Sequence, residues 1–241
     1  NADRLQDRYS IRCAPHVIGV LQDSLPWFRQ MIENELNSAN DNPIIDGPGE
    51  HVLHGGHFYG GHIAMVMDSM KPAVANLADL ADRQIASLVD TRYNNGLPSN
   101  LSMSEGERRY INHGFKAVQI GASAYTAEAL KHTMPASVFS RSTECHNQDK
   151  VSMGTIAARD AMRVLQLTEQ VLASTLLAAV QGVRIRIANN ELEHDTLPAP
   201  VMAMYDDICQ FFEPLLDDRP LDKLLRFTVD AIQTQRWSLY E

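Results

Sequence analysis

The feature that most constrains the fold is a helical spacing of apolar residues that is sustained over long stretches. The longest stretches cover about 17–36, 63–88 and 152–187, and strand-like alternation is nearly absent. The middle stretch carries Ile63, Met67, Met70, Val74, Leu77, Ala81, Ile85 and Leu88. Steps of three and four residues place such side chains along one face of an α-helix. The sequence therefore predicts an all-α fold.

Prolines and glycines divide this helical pattern. Pro26 lies inside the first stripe and should kink or split that helix, whereas Pro72 in the second stripe predicts a bend and not a break. Asp41-Asn42-Pro43 should end the first helix, because the residue before proline resists helical geometry. The glycine-rich residues 46–62 and the polar residues 99–112 predict loops. Further helices are expected at 114–134, 201–213 and 220–235.

The predicted helices are long for a globular protein. Lengths of roughly 25–35 residues exceed the usual mean of about 11–12. Apolar stripes on such helices favour a bundle whose exposed faces are covered by other subunits. The expected architecture is a bundle of long, partly kinked helices that packs into an oligomeric helical core.

Charge and cysteine usage exclude several classes of protein. The net charge is −9 with scattered Lys and Arg, which argues against nucleic acid or an anionic membrane as a partner. Three distant cysteines without a CxxC pair predict a reduced, cytoplasmic compartment. No apolar run reaches the roughly 18 residues of a membrane span, and residues 173–180 are expected to form buried helix.

Polar side chains concentrate immediately before the longest predicted helix. They are Glu144, His146, Asn147, Gln148 and Asp149. A helix N-terminus offers unpaired N–H groups and a positive dipole end, which stabilise polar and acidic side chains. If the segment were helical, Glu144 and Gln148 would share a face and suit an ammonium group. A helix cap on a polar loop is the simpler interpretation.

Two other segments combine chemistry-bearing groups. In residues 6–13, Arg12 offers a planar fork for a carboxylate, and Tyr9 and Gln6 add a hydroxyl and an amide. Arg12 alone would also fit a surface salt bridge. In residues 53–62, paired glycines hold the aromatic pair Phe58 and Tyr59 at the entrance of a helix.

The same loop also invites a metal interpretation. His51, His54, His57 and His62 could supply imidazole ligands to zinc. No carboxylate stands at a matching helical spacing and no cysteine is near, so we expect no metal. A histidine-cluster metallohydrolase stays open as an alternative, and a non-catalytic helical scaffold is another. No GxSxG, P-loop or GxGxxG motif occurs.

Taken in order, these segments resemble the aromatic amino-acid ammonia-lyases and aminomutases. The resemblance spans essentially the whole chain and is carried by Gln6–Cys13, Asn37–Pro43, His54–Phe58, Gly96–Pro98, Asn147–Gly154 and Asp218–Leu221. It implies elimination of ammonia from an aromatic L-amino acid to give an aryl acrylate. It also implies a homotetramer with shared active sites, and a 4-methylidene-imidazol-5-one (MIO) electrophile formed autocatalytically from an Ala-Ser-Gly triplet.

The resemblance also assigns roles to individual residues. The catalytic residues would be Tyr9, Glu144 and Gln148. The substrate-binding residues would be Gln6, Arg12, Phe58 and Asn147. Within these sets, Arg12 would bind the carboxylate, Phe58 would pack beside the MIO ring, and Glu144 with Gln148 would contact the amino group.

The predicted substrate depends on the identity of Gln148. Histidine ammonia-lyases typically have glutamate at the matching position. An amide is neutral and cannot act as the base or charge partner that an imidazole substrate would favour. Phenylalanine or tyrosine is therefore the favoured substrate, with a histidine ammonia-lyase or a 2,3-aminomutase as alternatives.

Two departures from the family pattern qualify the resemblance. His57 stands where the family usually has asparagine, and no Ala-Ser-Gly triplet occurs. The nearest string, Ala122-Ser123-Ala124, is predicted in the middle of a helix and lacks the glycine. We therefore expect residues 1–241 to be the C-terminal helical part of such an enzyme. The chain alone should be inactive without the N-terminal half of the same enzyme, which bears the MIO.

Overall fold

A computed structural model describes residues 5–239 and is mainly helical. Its helices are α1 (Tyr9–Arg12), α2 (Ala14–Leu36), α3 (Gly61–Val89), α4 (Lys116–Lys131), α5 (Gly154–Ala188), α6 (Ala199–Phe211) and α7 (Asp222–Gln233). Short 3-10 segments cover Ser99–Leu101, Gly106–Tyr110 and His194–Thr196. The all-α prediction is confirmed.

Helices α2 and α3 both continue through their internal prolines, so the first helix is not split at Pro26 and the second is not broken at Pro72. Pro26 lies inside α2 and Pro72 inside α3. The predicted ends of α5 differ from the observed ones by no more than two residues. Helix α4 is shorter than expected, because the chain already leaves helical geometry after Lys131 and before Pro135.

A small hairpin occupies part of the predicted loop at 46–62. Strands β1 (Ile44–Asp46) and β2 (His51–Leu53) pair antiparallel, with Ile45 opposite Val52. Asp46 accepts a hydrogen bond from the Gly49 backbone N–H at 3.1 Å, and a side chain at Gly49 would collide with that carboxylate. The loop prediction is wrong for these strands, because three-residue strands are too short to show alternation.

The described residues belong to two compact units. The first contains the residues up to Ala14, then Ala78–Glu128, and the chain from Gln166 onward. Its core contains fully buried aliphatic side chains such as Ile85, Leu177 and Ile208, and the rings of Phe115 and Phe212 meet edge to face at 6.2 Å.

The second unit contains Pro15–Leu77 and Ala129–Leu165. Its buried apolar residues include Phe28 of α2, Val66 and Val74 of α3, and Ala157 and Val164 of α5. Small side chains let these helices pack closely. Two buried charged residues of α3, Asp68 and Lys71, also lie in this unit.

Helix α5 is long and apolar enough to cross a membrane when judged by length and composition alone. Half of its most apolar window is buried inside the protein, and core helices meet the same criteria. Within residues 173–180, Ala173, Leu177, Ala178 and Val180 are buried, so the prediction of buried helix there is confirmed.

Candidate active site

A cleft of about 1020 Å³ lies in the second unit and gathers the predicted site residues of that unit. One wall is formed by residues 56–63, the other by residues 144–156, and Glu35 and Asn42 complete it. The predicted residues that line the cleft are Phe58, Glu144, Asn147 and Gln148. The structure thus brings together an aromatic ring, a carboxylate and two amides.

The polar motif forms a tight turn. Thr143 and Gln148 exchange backbone hydrogen bonds of 2.9 and 3.2 Å. Between them, Glu144, Cys145 and His146 have positive φ angles of 53°, 55° and 70°. Right-handed helix is incompatible with such angles, and α5 begins only at Gly154. The interpretation that Glu144 and Gln148 share a helical face is therefore wrong, although both line the cleft.

Side-chain hydrogen bonds hold the turn together. The Asn147 amide donates to Glu144 Oε2 at 2.9 Å, and Ser142 Oγ lies 2.8 Å from His146 Nδ1. Thr143 Oγ1 donates to Gln148 Oε1 at 3.4 Å. The Gln148 NH₂ group, a hydrogen-bond donor, therefore points away from Thr143.

The conformation of the opposite wall, residues 56–63, depends on glycine residues. Phe58 follows Gly55-Gly56 and is half exposed, at 56%. The Gly55 backbone N–H donates to Asn42 Oδ1 at 3.0 Å, which joins this loop to the Asn37–Pro43 motif. An added Cβ on Gly61 would lie 2.7 Å from the Tyr59 ring, so a side chain there would displace that ring.

Tyr59 and Lys150 also line the cleft, although neither was predicted to be a catalytic or substrate-binding residue. Lys150 Nζ donates to Tyr59 Oη at 3.0 Å and so connects the two walls of the cleft. Their positions beside Phe58 and Gln148 offered a signal. Their contact could not be predicted, because 91 residues separate them in the chain.

The His57 imidazole lies close to Gly55. A Cβ on Gly55 would lie 2.5 Å from His57 Cε1. The histidine at this position therefore occupies the space that a side chain at Gly55 would need. His57 itself is exposed.

The remaining predicted residues, Gln6, Tyr9 and Arg12, belong to the first unit and are exposed. Tyr9 and Arg12 open and close the single turn of α1, and the Arg12 guanidinium lies 4.6 Å from the Tyr9 ring centroid. The predicted site thus divides into a set on α1 in one unit and a cleft set in the other.

Contacts with α3 and the residues after it anchor α1 within the first unit. Gln84 Nε2 donates to the Ser10 carbonyl at 2.8 Å, and the Arg8 guanidinium lies 3.5 Å from the Tyr93 ring centroid. Hydrogen bonds from Arg92 lower the pKa of Asp90 to about 2, with a smaller contribution from the charge of Arg8. The ionised carboxylate of Asp90 therefore attracts the guanidinium of Arg8, the residue before Tyr9.

In residues 5–239, no group of three or more His, Cys, Asp or Glu side chains is arranged to hold a metal ion. The histidines of residues 51–62 accordingly form no ligand cluster. The metallohydrolase alternative gains no support from this arrangement.

The string Ala122-Ser123-Ala124 lies in the middle of α4, as predicted. Ser123 Oγ donates to Asp82 Oδ1, and Ala122 is buried. Ala122 and Ser123 therefore contribute to the packing of α4, whereas Ala124 is exposed.

Comparison with known proteins shows that the chain is similar in sequence to a group of enzymes. Residues 1–208 match the family described as aromatic amino acid lyase. The tyrosine ammonia-lyase of Cereibacter sphaeroides is 40% identical over 217 residues, or 90% of this chain. The histidine ammonia-lyase of Caenorhabditis elegans is 35% identical over 236 residues, or 98% of this chain.

Solved structures give the same grouping. The tyrosine aminomutase from Streptomyces globisporus matches 98% of this chain with 34% identity and a TM-score of 0.87. The chain spans 43% of that protein, and 40% and 33% of the tyrosine and histidine ammonia-lyases. It therefore covers less than half the length of these relatives.

Proposed function

The chain belongs to the aromatic amino acid lyase family, and on that premise we propose that the full-length protein eliminates ammonia from an aromatic L-amino acid to give an aryl acrylate. Phenylalanine or tyrosine is the proposed substrate. The observation that carries the proposal is the cleft in which Phe58, Glu144, Asn147 and Gln148 come together.

The residues of α1 suit one end of the substrate. Arg12 presents a guanidinium fork that can bind a carboxylate through two hydrogen bonds. Because the Tyr9 ring lies 4.6 Å from this guanidinium, a substrate held by Arg12 would have its reacting carbons near Tyr9. Gln6 adds an amide to the same segment.

The cleft residues suit the amino group and the aromatic ring. The Asn147 amide fixes one oxygen of Glu144, so the carboxylate can accept a hydrogen bond from the substrate ammonium or from the departing ammonia. Gln148 adds a neutral amide beside it, and the exposed Phe58 ring offers a flat apolar surface. Elimination breaks the C–N bond and removes a β-proton, so a positioned base is also required.

The cleft also suits the cofactor of the family. The half-exposed Phe58 ring would offer a flat apolar surface beside which a planar MIO ring would pack. When bound, MIO supplies an electrophile that makes the substrate amine a better leaving group. No metal is proposed.

We propose that the N-terminal half of the same enzyme provides the Ala-Ser-Gly triplet. Residues 1–241 contain no such triplet, and the chain covers 40% of the tyrosine ammonia-lyase. Residues 1–241 would then be the C-terminal helical part and would be inactive alone. The proposed assembly is a cytoplasmic homotetramer with shared active sites.

An ultraviolet assay of the full-length protein tests the proposed reaction. Phenylalanine, tyrosine and histidine are supplied separately, and cinnamate or coumarate is the expected product. Gln148→Glu should lower turnover of phenylalanine and tyrosine about tenfold or more, because it places a negative charge beside the aromatic ring of the substrate. Asp23→Asn on α2 serves as a control.

The outcomes separate the candidate functions. Urocanate as the sole product would overturn the interpretation of Gln148. A β-amino acid product would identify a 2,3-aminomutase, a candidate favoured by the likeness to tyrosine aminomutase. Turnover unaffected by Arg12→Ala would contradict the role of Arg12, and a folded protein with no product would favour the scaffold alternative.

A further inference from the structure

A buried charged cluster lies in the same unit as the cleft. Lys71 on α3 is fully buried, and its Nζ lies 2.7 Å from Asp68 Oδ1 and 3.9 Å from Asp160 Oδ2. Lysine is almost never fully buried unless it is paired. None of the roles proposed above uses these residues.

The cluster holds a loop by its backbone. Lys71 Nζ donates to the Met134 carbonyl at 2.7 Å. The two oxygens of Asp68 accept from the backbone N–H groups of Ala136 and Ser137, both at 2.9 Å. Two side chains of α3 therefore fix three backbone groups of residues 134–137, the loop that follows α4.

Asp68 is held in the ionised form that this arrangement needs. Burial raises the pKa of the Asp68 carboxyl, but hydrogen bonds from Lys71, Ser137 and Ala136 outweigh burial and leave the pKa below its ordinary value. Hydrogen bonds to an ionised carboxylate in a buried position are stronger than neutral ones. The cluster is therefore a firm attachment point for the loop.

The attached loop leads directly to the cleft. Three residues after Ser137, Ser140 Oγ accepts from the Val151 backbone N–H at 3.0 Å. That bond closes the base of the segment that contains the Thr143–Gln148 turn. On its other side, α3 begins at Gly61, just after Phe58, and Asp160 lies on α5 shortly after Gly154. The cluster thus joins the segments from which both cleft walls extend.

We propose that the Asp68–Lys71–Asp160 cluster positions the Thr143–Gln148 turn relative to Phe58, and that Lys71 is a positioning residue for the substrate amino group. This inference rests on the proposed function, since the cleft is the site proposed for that group. Lys71 is buried and bonded to protein groups, so it acts through the turn.

The test compares variants of the full-length protein. Lys71→Met retains a long apolar side chain and removes the donors. Lys71→Met with Asp68→Asn removes both charges, and so avoids an unpaired buried carboxylate that could prevent folding. Asp160→Asn changes a partly exposed member of the cluster. Arg83→Met, which removes an exposed cation from the same helix, is the matched control.

Two measurements report positioning. Backbone hydrogen exchange in residues 136–149 should rise in the Lys71 variants, while exchange in residues 171–180 of α5 stays unchanged. The kcat should fall about 10- to 100-fold, because a displacement of about 1 Å can cost about 100-fold in rate. The KM should change less than kcat, since Arg12 still binds the carboxylate. Arg83→Met should match the wild type in both measurements.

Unchanged exchange in residues 136–149 together with an unchanged kcat would overturn the inference. Loss of folding in all three cluster variants would also overturn it, because the cluster would then be required for the fold itself. Failure of the proposed function is distinguishable, since it would appear as a wild-type protein without product. The exchange measurement would still decide whether the cluster holds the turn.

Discussion

At the scale of single residues, the candidate site depends on backbone φ angles that cannot be predicted from the residue types. Glu144, Cys145 and His146 adopt left-handed conformations in succession. Such conformations cost of order 1–3 kcal/mol each and persist where surrounding contacts impose them. The bonds from Asn147 to Glu144 and between Ser142 and His146 supply such contacts. The sequence predicted which polar groups would meet, but a turn without glycine gave no sign of its shape.

A residue-scale prediction concerns the anchoring of α1. Tyr93→Leu removes the ring that lies 3.5 Å from the Arg8 guanidinium. An exposed cation–π contact contributes about 0.5–1 kcal/mol. Because its loss leaves α1 less firmly held, the KM of the amino-acid substrate should rise about two- to fivefold. Steady-state kinetics of the full-length protein measure this.

Tyr93→Phe is the matched control, because it keeps the aromatic ring and removes only the hydroxyl. Its KM should equal that of the wild type. A KM that rises equally in both variants would mean that the Tyr93 hydroxyl, and not its ring, matters for α1.

At the scale of helices and strands, the periodicity of apolar residues predicted the long helices but not the short strands. Helices α2, α3 and α5 follow from apolar stripes that run for many turns. The strands β1 and β2 have three residues each, too few for a periodic signal. Contacts between elements were also beyond prediction. Buried Gln181 of α5, for example, donates to the Leu101 carbonyl across 80 residues of sequence.

An element-scale prediction concerns pH. Asp207 on α6 accepts hydrogen bonds from Arg236 and from Trp237 Nε1, and so ties α6 to the residues after α7. These bonds lower the pKa of Asp207 to about 2 from an ordinary value of 3.8. A carboxyl with a depressed folded-state pKa stabilises the protein above its unfolded pKa, and this stability is lost as pH falls from about 4 to 2.

Because solvent screens this surface pair, Asp207→Asn should lower the free energy of unfolding by no more than about 1 kcal/mol at pH 6. The difference from the wild type should shrink towards pH 2. Urea unfolding followed by circular dichroism at several pH values measures it. A difference that does not change between pH 6 and pH 2 would contradict the ion-pair interpretation.

At the scale of the whole molecule, the predicted fold class is confirmed, whereas the roles of the predicted site residues stay predictions. Gln6, Tyr9 and Arg12 belong to one compact unit, and Phe58, Glu144, Asn147 and Gln148 to the other. Motif order along the chain carries no information about such grouping, because units are built from distant segments. The buried Lys71 cluster was missed for the same reason.

A whole-molecule prediction concerns assembly. Met162 on α5 is 55% exposed, and other large apolar side chains are exposed with it. If subunits of a tetramer cover this face, Met162→Glu would bury an unpaired charge and should shift the full-length protein to smaller species. Light scattering measures the mass, with Met162→Leu as the control. A glutamate variant that keeps the mass of the wild type would show that this face of α5 lies outside the subunit contacts.

The left-handed turn has a practical consequence. Of the three cysteines, Cys13 and Cys209 are half-buried, and Cys145 is exposed between Glu144 and His146. A thiol-reactive fluorescent dye would therefore attach most readily to the turn itself. The native protein thus carries an optical reporter site beside its cleft, through which events there can be followed in real time without any product being formed.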